Sequence, residues 1–356
     1  MKKIVLTGGG SAGHVTPNLA LVPELRRRGF EVYYIGSYEG IEKDLVEAEQ
    51  IPYTGISTGK LRRYFSWKNF TDPVRVLKGF KEARERLKEI RPDIIFSKGG
   101  FVSTPVVGAA HQLDIPVILH ESDMTPGLAN RLSFPYASRC LCSFPETLSR
   151  LPKEKSYVSG CPIRAELAEG SREAALRFTG LSGEKPVLMA MGGSLGSVAL
   201  NTHLRAILPR LLERFDVIHL CGKGRLDETI SLPGYAQFEY VSEEMKDLFA
   251  LADFLISRAG ANAICEFLFL KKPNLLIPLP LTQSRGDQIL NARSFEKQGF
   301  SAVMEEETIT DDGLFEALET LYASRDQYIA AMEQSNQSDA VTFICDMIES
   351  LCGKES

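Results

Sequence analysis

The 356 residues carry 44% apolar and 24% charged side chains and a formal net charge of −5. That length is too great for one ordinary core and comfortable for two domains, and the acidic balance argues against a general nucleic-acid binder. Seven cysteines with no CxxC pair fit a reducing cytoplasm, and no segment nears the roughly 20 uncharged residues of a membrane span.

Met1-Lys2-Lys3 looks like a secretory n-region for three residues only. The apolar run Ile4-Val5-Leu6 then breaks on glycines and reads as a first strand. The first half predicts strands over 3–7, 31–35, 94–97, 116–120, 139–143 and 156–159. Helices are expected over 17–28, 40–49, 73–90, 104–112 and about 125–135. The second half repeats the grammar, with strands over 186–190, 216–220, 237–240, 253–256, 274–277 and 301–303. Its helices are expected over 197–214, 243–251, 261–270, 285–297 and 311–323. Such alternation implies α/β domains, each a parallel sheet covered by helices on both faces. The expected boundaries are 1–160, 161–335 and a helical tail over 336–356 that could pack back across the interface.

One glycine loop occurs twice. Gly9-Gly10-Ser11-Ala12-Gly13-His14-Val15 and Gly192-Gly193-Ser194-Leu195-Gly196-Ser197-Val198 share the pattern GGSxGxV. Each stands between a short apolar run and an amphipathic stretch, the order strand, tight turn, helix. Glycine lets the backbone approach a ligand, and a helix N-terminus offers free N–H groups to an anion. Two such loops suggest two Rossmann-like domains facing each other across a cleft. The first loop lacks the Lys-Ser/Thr of a P-loop and the ribose acid of a dinucleotide site, since Gly36-Ser37-Tyr38-Glu39 follows its second strand.

His14 ends the first loop at the edge of a parallel sheet where ligands bind, although a packing or capping role would also place it there. Thr16 is a plausible cap before Pro17. In the second half, Ser194 and its neighbouring amides could hold a diphosphate. The run Ser257 to Glu266 leads from strand end through Gly260 into a helix, making a second anion or uracil site at Gly260, Ala261 and Asn262. Glu266, about a turn in, can accept two hydrogen bonds from a ribose diol; a solvated helix glutamate is the plain alternative. Gln288 and Asn291 share a helix face.

The motifs GGxxxGH (8–14), GGFVSTP (99–105), HESDMTPGLAN (120–130), GCPIR (160–164), GGSLGS (192–197), SRAGANAICE (257–266) and DQILNA (287–292) together resemble the MurG family. These are the N-acetylglucosaminyltransferases that make lipid II for peptidoglycan. The resemblance spans nearly the whole chain in order. It implies a glycosyltransferase B fold, with UDP-GlcNAc held mainly by the C-terminal domain. The family's first loop usually reads GGTGGH, where this chain has Ser11-Ala12. Many members carry Asn two residues after the HE glutamate, where this chain has Asp123.

By the same resemblance, Arg164 and Ser194 would hold the UDP phosphates or sugar. Segment 260–266 would bind uridine and phosphate, and Gln288 and Asn291 would contact GlcNAc hydroxyls. Ser11, Ala12, Gly13 and His14 would face the acceptor, undecaprenyl-pyrophosphoryl-MurNAc-pentapeptide (lipid I), with Glu121 and Asn130 nearby. The MurNAc C4 hydroxyl would attack the anomeric carbon with inversion to a β1,4 bond. His14 is the first candidate for general base and Glu121 the second. Arg164 and the helix N-terminus at Ser194 could stabilise departing UDP. No Asp-x-Asp pair exists, so no metal and no cofactor beyond the donor is expected.

Between Lys60 and Arg91 stand eleven Lys/Arg against four acids. Lys60, Arg62, Arg63 and Lys68 interleave with Leu61, Tyr64, Phe65, Trp67 and Phe70. Aromatic anchors among cations suit anionic inner-leaflet lipids and peripheral attachment to the cytoplasmic face of the membrane; a solvated helix with a lid loop has the same composition. Other readings are a diacylglycerol glycosyltransferase, a UDP-GlcNAc 2-epimerase, which needs no lipid patch, and a non-catalytic UDP-sugar binding module. A nucleotide-dependent dehydrogenase is disfavoured by the missing ribose acid.

Overall fold

The computed structural model describes residues 1–59, 68–193, 196–284, 286–335 and 339–352, with backbone alone at residue 12 and over 68–74. Its first unit runs β1 (Lys2–Thr7), α1 (Thr16–Arg27), β2 (Phe30–Ser37), α2 (Ile41–Ala48), β3 (Tyr53–Ile56), α3 (Lys68–Ile90), β4 (Ile94–Ser97), α4 (Ser103–Gln112), β5 (Val117–Glu121), α5 (Leu128–Ser133), β6 (Arg139–Cys142) and β7 (Ser156–Val158). The second runs α6 (Arg172–Thr179), β8 (Val187–Met191), α7 (Val198–Leu211), β9 (Asp216–Leu220), β10 (Tyr235–Phe238), α8 (Met245–Leu251), β11 (Phe254–Ser257), α9 (Ala261–Phe269), β12 (Asn274–Leu276), α10 (Asp287–Lys297), β13 (Ala302–Val303), α11 (Asp311–Ala323) and α12 (Arg325–Glu333). A last helix, α13 (Ala340–Cys352), closes the chain. The compact units are Met1–Arg164 with Asp339–Ser356, and Ala165–Ser338.

Both sheets are parallel throughout and share one design. The first has the order β3-β2-β1-β4-β5-β6-β7 and the second β10-β9-β8-β11-β12-β13. Strand order therefore reverses between β1 and β4 and again between β8 and β11. In open α/β sheets that reversal opens a crevice beyond the strand ends, and each glycine loop lies there. The strands are near-continuous apolar runs because both faces are covered: Ile4, Val5 and Leu6 of β1 and Val187, Leu188 and Met189 of β8 are fully buried.

Two elements escape periodicity. β3 is four residues on the sheet edge, paired with β2 from Tyr34↔Tyr53 to Ser37↔Ile56. α6 buries only Ala175, so it has no apolar stripe, but Ser171 caps it by accepting the Ala174 N–H at 3.2 Å and Gly180 ends it at φ +72°. α3 begins at Lys68 rather than at Pro73. The expected Thr16 cap gives way to α1 opening at Thr16 itself, because a short 3₁₀ turn over Ala12–His14 leads almost directly into it. The tail contributes α13. Ile344, Cys345 and Ile348 of α13 join the first unit's core beside Leu21 and Leu25, and Arg28 bonds Asp346 at 2.6 Å and Glu349 at 2.8 Å.

Candidate functional site

The first loop is tied down by the chain itself. Glu42, fully buried near the start of α2, accepts the Gly10 N–H at 3.2 Å, the Ser37 N–H at 3.1 Å and the Ser37 hydroxyl at 2.5 Å. Tyr34 donates its hydroxyl to the Gly8 carbonyl at 2.8 Å. Gly100, at φ +81°, packs so close that a Cβ there would lie 2.2 Å from the Gly9 carbonyl oxygen. Only glycine meets both the left-handed backbone and that contact.

His14 is half-buried at the end of this loop. Its Nδ1 lies 3.0 Å from the Lys98 carbonyl oxygen. A carbonyl only accepts, so Nδ1 carries the proton and Nε2 presents its lone pair. Burial, followed by the Lys98 charge, pushes the imidazole below its ordinary pKa, against smaller upward pulls from Asp123, the Lys98 carbonyl that accepts the Nδ1–H, and Glu42. The ring is thus held neutral, the state a general base requires.

The Glu121 carboxylate is engaged differently. One oxygen accepts the Asp123 N–H at 3.1 Å, and the other accepts the Gly127 N–H and the Asn130 amide, both at 2.9 Å. Those bonds stitch the loop after β5 to α5. Asn130 also donates to the His120 carbonyl at 3.2 Å, and its Oδ1 is buried without a partner. Ser11 is exposed and Gly13 half-buried. The Arg164 Nε is likewise buried with no hydrogen-bond partner.

The second unit holds a cavity of about 700 Å³, within the usual range for small-ligand sites. Gly192, Gly193, Gly196 and Ser197 line it, with Val198 and Ala199 opening α7 and Gly260 and Ala263 at the start of α9. Two helix N-termini therefore converge on one cavity, with Arg225 and Arg258 beside them, an arrangement suited to an anion. Arg258, 8% exposed, donates to the Ser197 hydroxyl at 2.6 Å and the Ile277 carbonyl at 3.1 Å, and pairs with Glu306. Gln288 lines the cavity, and its Oε1 accepts the Ala259 N–H at 3.3 Å and the Leu279 N–H at 3.1 Å. Asn291 is buried and donates to the Ala259 carbonyl at 3.3 Å, so it holds the loop before α9. Glu266 lies one turn beyond Ala263 on the same face of α9. Ala261 is buried and Asn262 half-buried.

Ser194, Lys60, Arg62, Arg63, Phe65 and Trp67 lie outside the described residues, as do the side chains of Ala12 and Lys68. Sequence reasoning missed Glu42, Lys98 and the Arg258–Glu306 pair. Arg258 and Lys98 could have been found as the basic residues directly after strands β11 and β4. Among the described residues no group of His, Cys, Asp and Glu is placed to hold a metal ion, and no helix is long and apolar enough to cross a membrane.

The glycosyltransferase family 28 N-terminal domain matches residues 4–142, and the family's C-terminal domain matches residues 187–347. The chain is 57% identical over 350 residues to the UDP-N-acetylglucosamine--N-acetylmuramyl-(pentapeptide) pyrophosphoryl-undecaprenol N-acetylglucosamine transferase of Lachnospira eligens, covering 98% of this chain and 99% of that one. The enzyme of the same name from Clostridium botulinum strain Kyoto is 54% identical, with the same coverage. The crystal structure of Acinetobacter baumannii MurG superposes with a TM-score of 0.76 at 25% identity, covering 98% of this chain and all of that one. The fold alone is shared with the UDP-GlcNAc 2-epimerase of Neisseria meningitidis, at 13% identity and a TM-score of 0.69 over 98% of this chain and all of that one.

Proposed function

Because the chain belongs to glycosyltransferase family 28, we propose that it moves N-acetylglucosamine from UDP-GlcNAc to the C4 hydroxyl of N-acetylmuramic acid in lipid I, giving lipid II. Near-full-length identity to enzymes named for that transfer supports the substrates. The observation that carries the donor half is the cavity on which the starts of α7 and α9 converge beside Arg225 and Arg258. There the diphosphate meets helix amides and guanidinium groups, which hold it in the ground state and stabilise the charge of departing UDP. Arg164, with its unpartnered Nε, and Ser194 add donors to the phosphates or sugar. Gly260, Ala261 and Asn262 receive the uridine and phosphate, and Glu266 accepts from the ribose diol. Gln288 and Asn291 contact the sugar hydroxyls, and Asn291 also holds the Ala259 loop.

On the acceptor side, Ser11 to Gly13 receive lipid I beside His14. The His14 Nε2 takes the C4 hydroxyl proton as that oxygen attacks the anomeric carbon. The C–O bond to UDP breaks on the opposite face, which inverts the centre to a β1,4 link. Glu121 is the second choice for base. Its three N–H partners favour a positioning role, since they tie both of its oxygens to the loop after β5 and to α5. Asn130 positions the same loop. The basic and aromatic residues Lys60, Arg62, Arg63, Phe65, Trp67 and Lys68 dock the chain on anionic lipid at the cytoplasmic face, where a lipid-linked acceptor is reached from water.

The test is release of UDP from UDP-GlcNAc with and without a lipid I analogue. Release that depends on the acceptor and matches the disaccharide formed is expected. Release at the same rate without acceptor would overturn the transfer in favour of hydrolysis, with water taking the sugar.

A further inference from the structure

We propose that Lys98 is a positioning residue for the transfer, its main chain fixing the His14 tautomer while its buried ammonium keeps the imidazole free to accept a proton. This rests on reading His14 as the base. Lys98 is 1% exposed, a rare place for an ammonium, and its bonds reach three parts of the acceptor side. Its N–H donates to the Thr7 carbonyl at the end of β1 at 2.9 Å. Its carbonyl accepts the His14 Nδ1–H at 3.0 Å. Its ammonium donates to the His120 Nδ1 at 2.7 Å and the Ser122 hydroxyl at 2.5 Å.

His120 is arranged to receive it. Its Nε2 lies 2.9 Å from the Gly160 carbonyl oxygen and so carries the proton, leaving Nδ1 as an acceptor. The charged groups that act on His14 are Lys98 from the end of β4, Asp123 from the loop after β5 and Glu42 from α2. The two carboxylates and the Lys98 carbonyl favour an imidazolium, and the Lys98 ammonium opposes them. Without it, burial alone would have to keep His14 neutral.

The second unit repeats the device. Thr7 pairs with Ser97 at the end of β1 and β4, as Met191 pairs with Ser257 at the end of β8 and β11. The next residues are Lys98 and Arg258. Each is a buried cation at the point where strand order reverses, and each reaches its own unit's glycine loop, Lys98 at His14 and Arg258 at Ser197.

The pH–rate profile of kcat with a lipid I analogue should be measured for the parent, Lys98→Met, Lys98→Arg and His14→Ala. Removing the positive charge raises the His14 pKa, so the acidic limb of Lys98→Met should move up by about one pH unit. Activity on that limb then falls about tenfold relative to the plateau. Lys98→Arg, which keeps the charge, should hold the limb near its parental place. An unmoved limb in Lys98→Met, together with its loss in His14→Ala, would overturn the role of Lys98 and leave the base reading intact. A limb that survives in His14→Ala would instead overturn the base reading. Should Lys98→Met fail to fold, nitrogen NMR of His14 in the parent, identified among five histidines by comparison with His14→Ala, decides. A proton on Nδ1 supports the proposal, and a proton on Nε2 contradicts it.

Discussion

The two glycine loops share a sequence pattern and a place in their sheets, yet their surroundings assign them opposite work. The first spends its groups inside the chain: Gly10 on Glu42, Gly8 on Tyr34, and Gly9 against Gly100. What it presents outward are exposed Ser11 and the half-buried imidazole of His14. The second borders a cavity of about 700 Å³ with the starts of two helices on its wall. One motif thus mounts a side chain in one unit and, in the function proposed above, cradles an anion in the other. The difference lies in what comes from other elements. A buried carboxylate beside the first loop already fills the part a bound anion would play, whereas an arginine stands beside the second.

The largest expected effect breaks the comparison at His14. His14→Ala should lower kcat by about 10²–10⁴-fold, the usual range for a lost general base, and should abolish the acidic limb of the pH–rate profile. Steady-state kinetics that show a raised acceptor KM with the limb retained would make His14 a positioning residue instead. Loss of the limb in Glu121→Gln, with retention in His14→Ala, would reverse the two roles.

A property common to both units comes next. His120 and His219 are fully buried, and burial lowers the first well below its ordinary pKa and the second to about 3. Their unfolded counterparts titrate near 6.5, so below that pH the unfolded chain binds more protons. Stability is therefore complete above about pH 6.5 and falls as pH drops, by about 1.4 kcal/mol per pH unit for each histidine. Denaturant titrations from pH 7 to 5 should show that slope. Replacing His219 by Gln should flatten it for the C-terminal unit, and an unchanged slope would mean that His219 titrates alike in both states.

The smallest effect concerns the patch. Changing Arg62, Arg63 and Lys68 to Ser should weaken binding to anionic vesicles by about 1 kcal/mol per residue, while turnover on a water-soluble acceptor persists. Vesicle sedimentation that finds equal binding for variant and parent would return this stretch to a solvated surface.

Much of this was legible in the chain. Buried strands such as Ile4-Val5-Leu6 and Ile94-Ile95-Phe96 show as apolar runs followed by glycines, and their alternation with helical patterns gives two parallel sheets. The repeated loop marks both crevices, and Gln288 stands out as one of two amides on one helix face. The partners of buried polar groups were not legible. Glu42 reaches Gly10 across 32 positions, and Arg258 meets Glu306 across 48. No local spacing encodes such pairs, because they form only when separate crossovers bring their elements to the same sheet end. Asn291 adds a shorter-range case: its helix face was apparent, but its bond to the Ala259 carbonyl was not.

The division of labour between the loops is tested most directly by calorimetric titration of UDP into the parent, His14→Ala and Glu266→Ala. A charge-assisted hydrogen bond to the ribose is worth roughly 1.5–3 kcal/mol, so Glu266→Ala should weaken UDP binding by at least about tenfold. His14→Ala should bind UDP as the parent does. Parental affinity in Glu266→Ala, or an equal loss in His14→Ala, would contradict the assignment of donor and acceptor to separate loops.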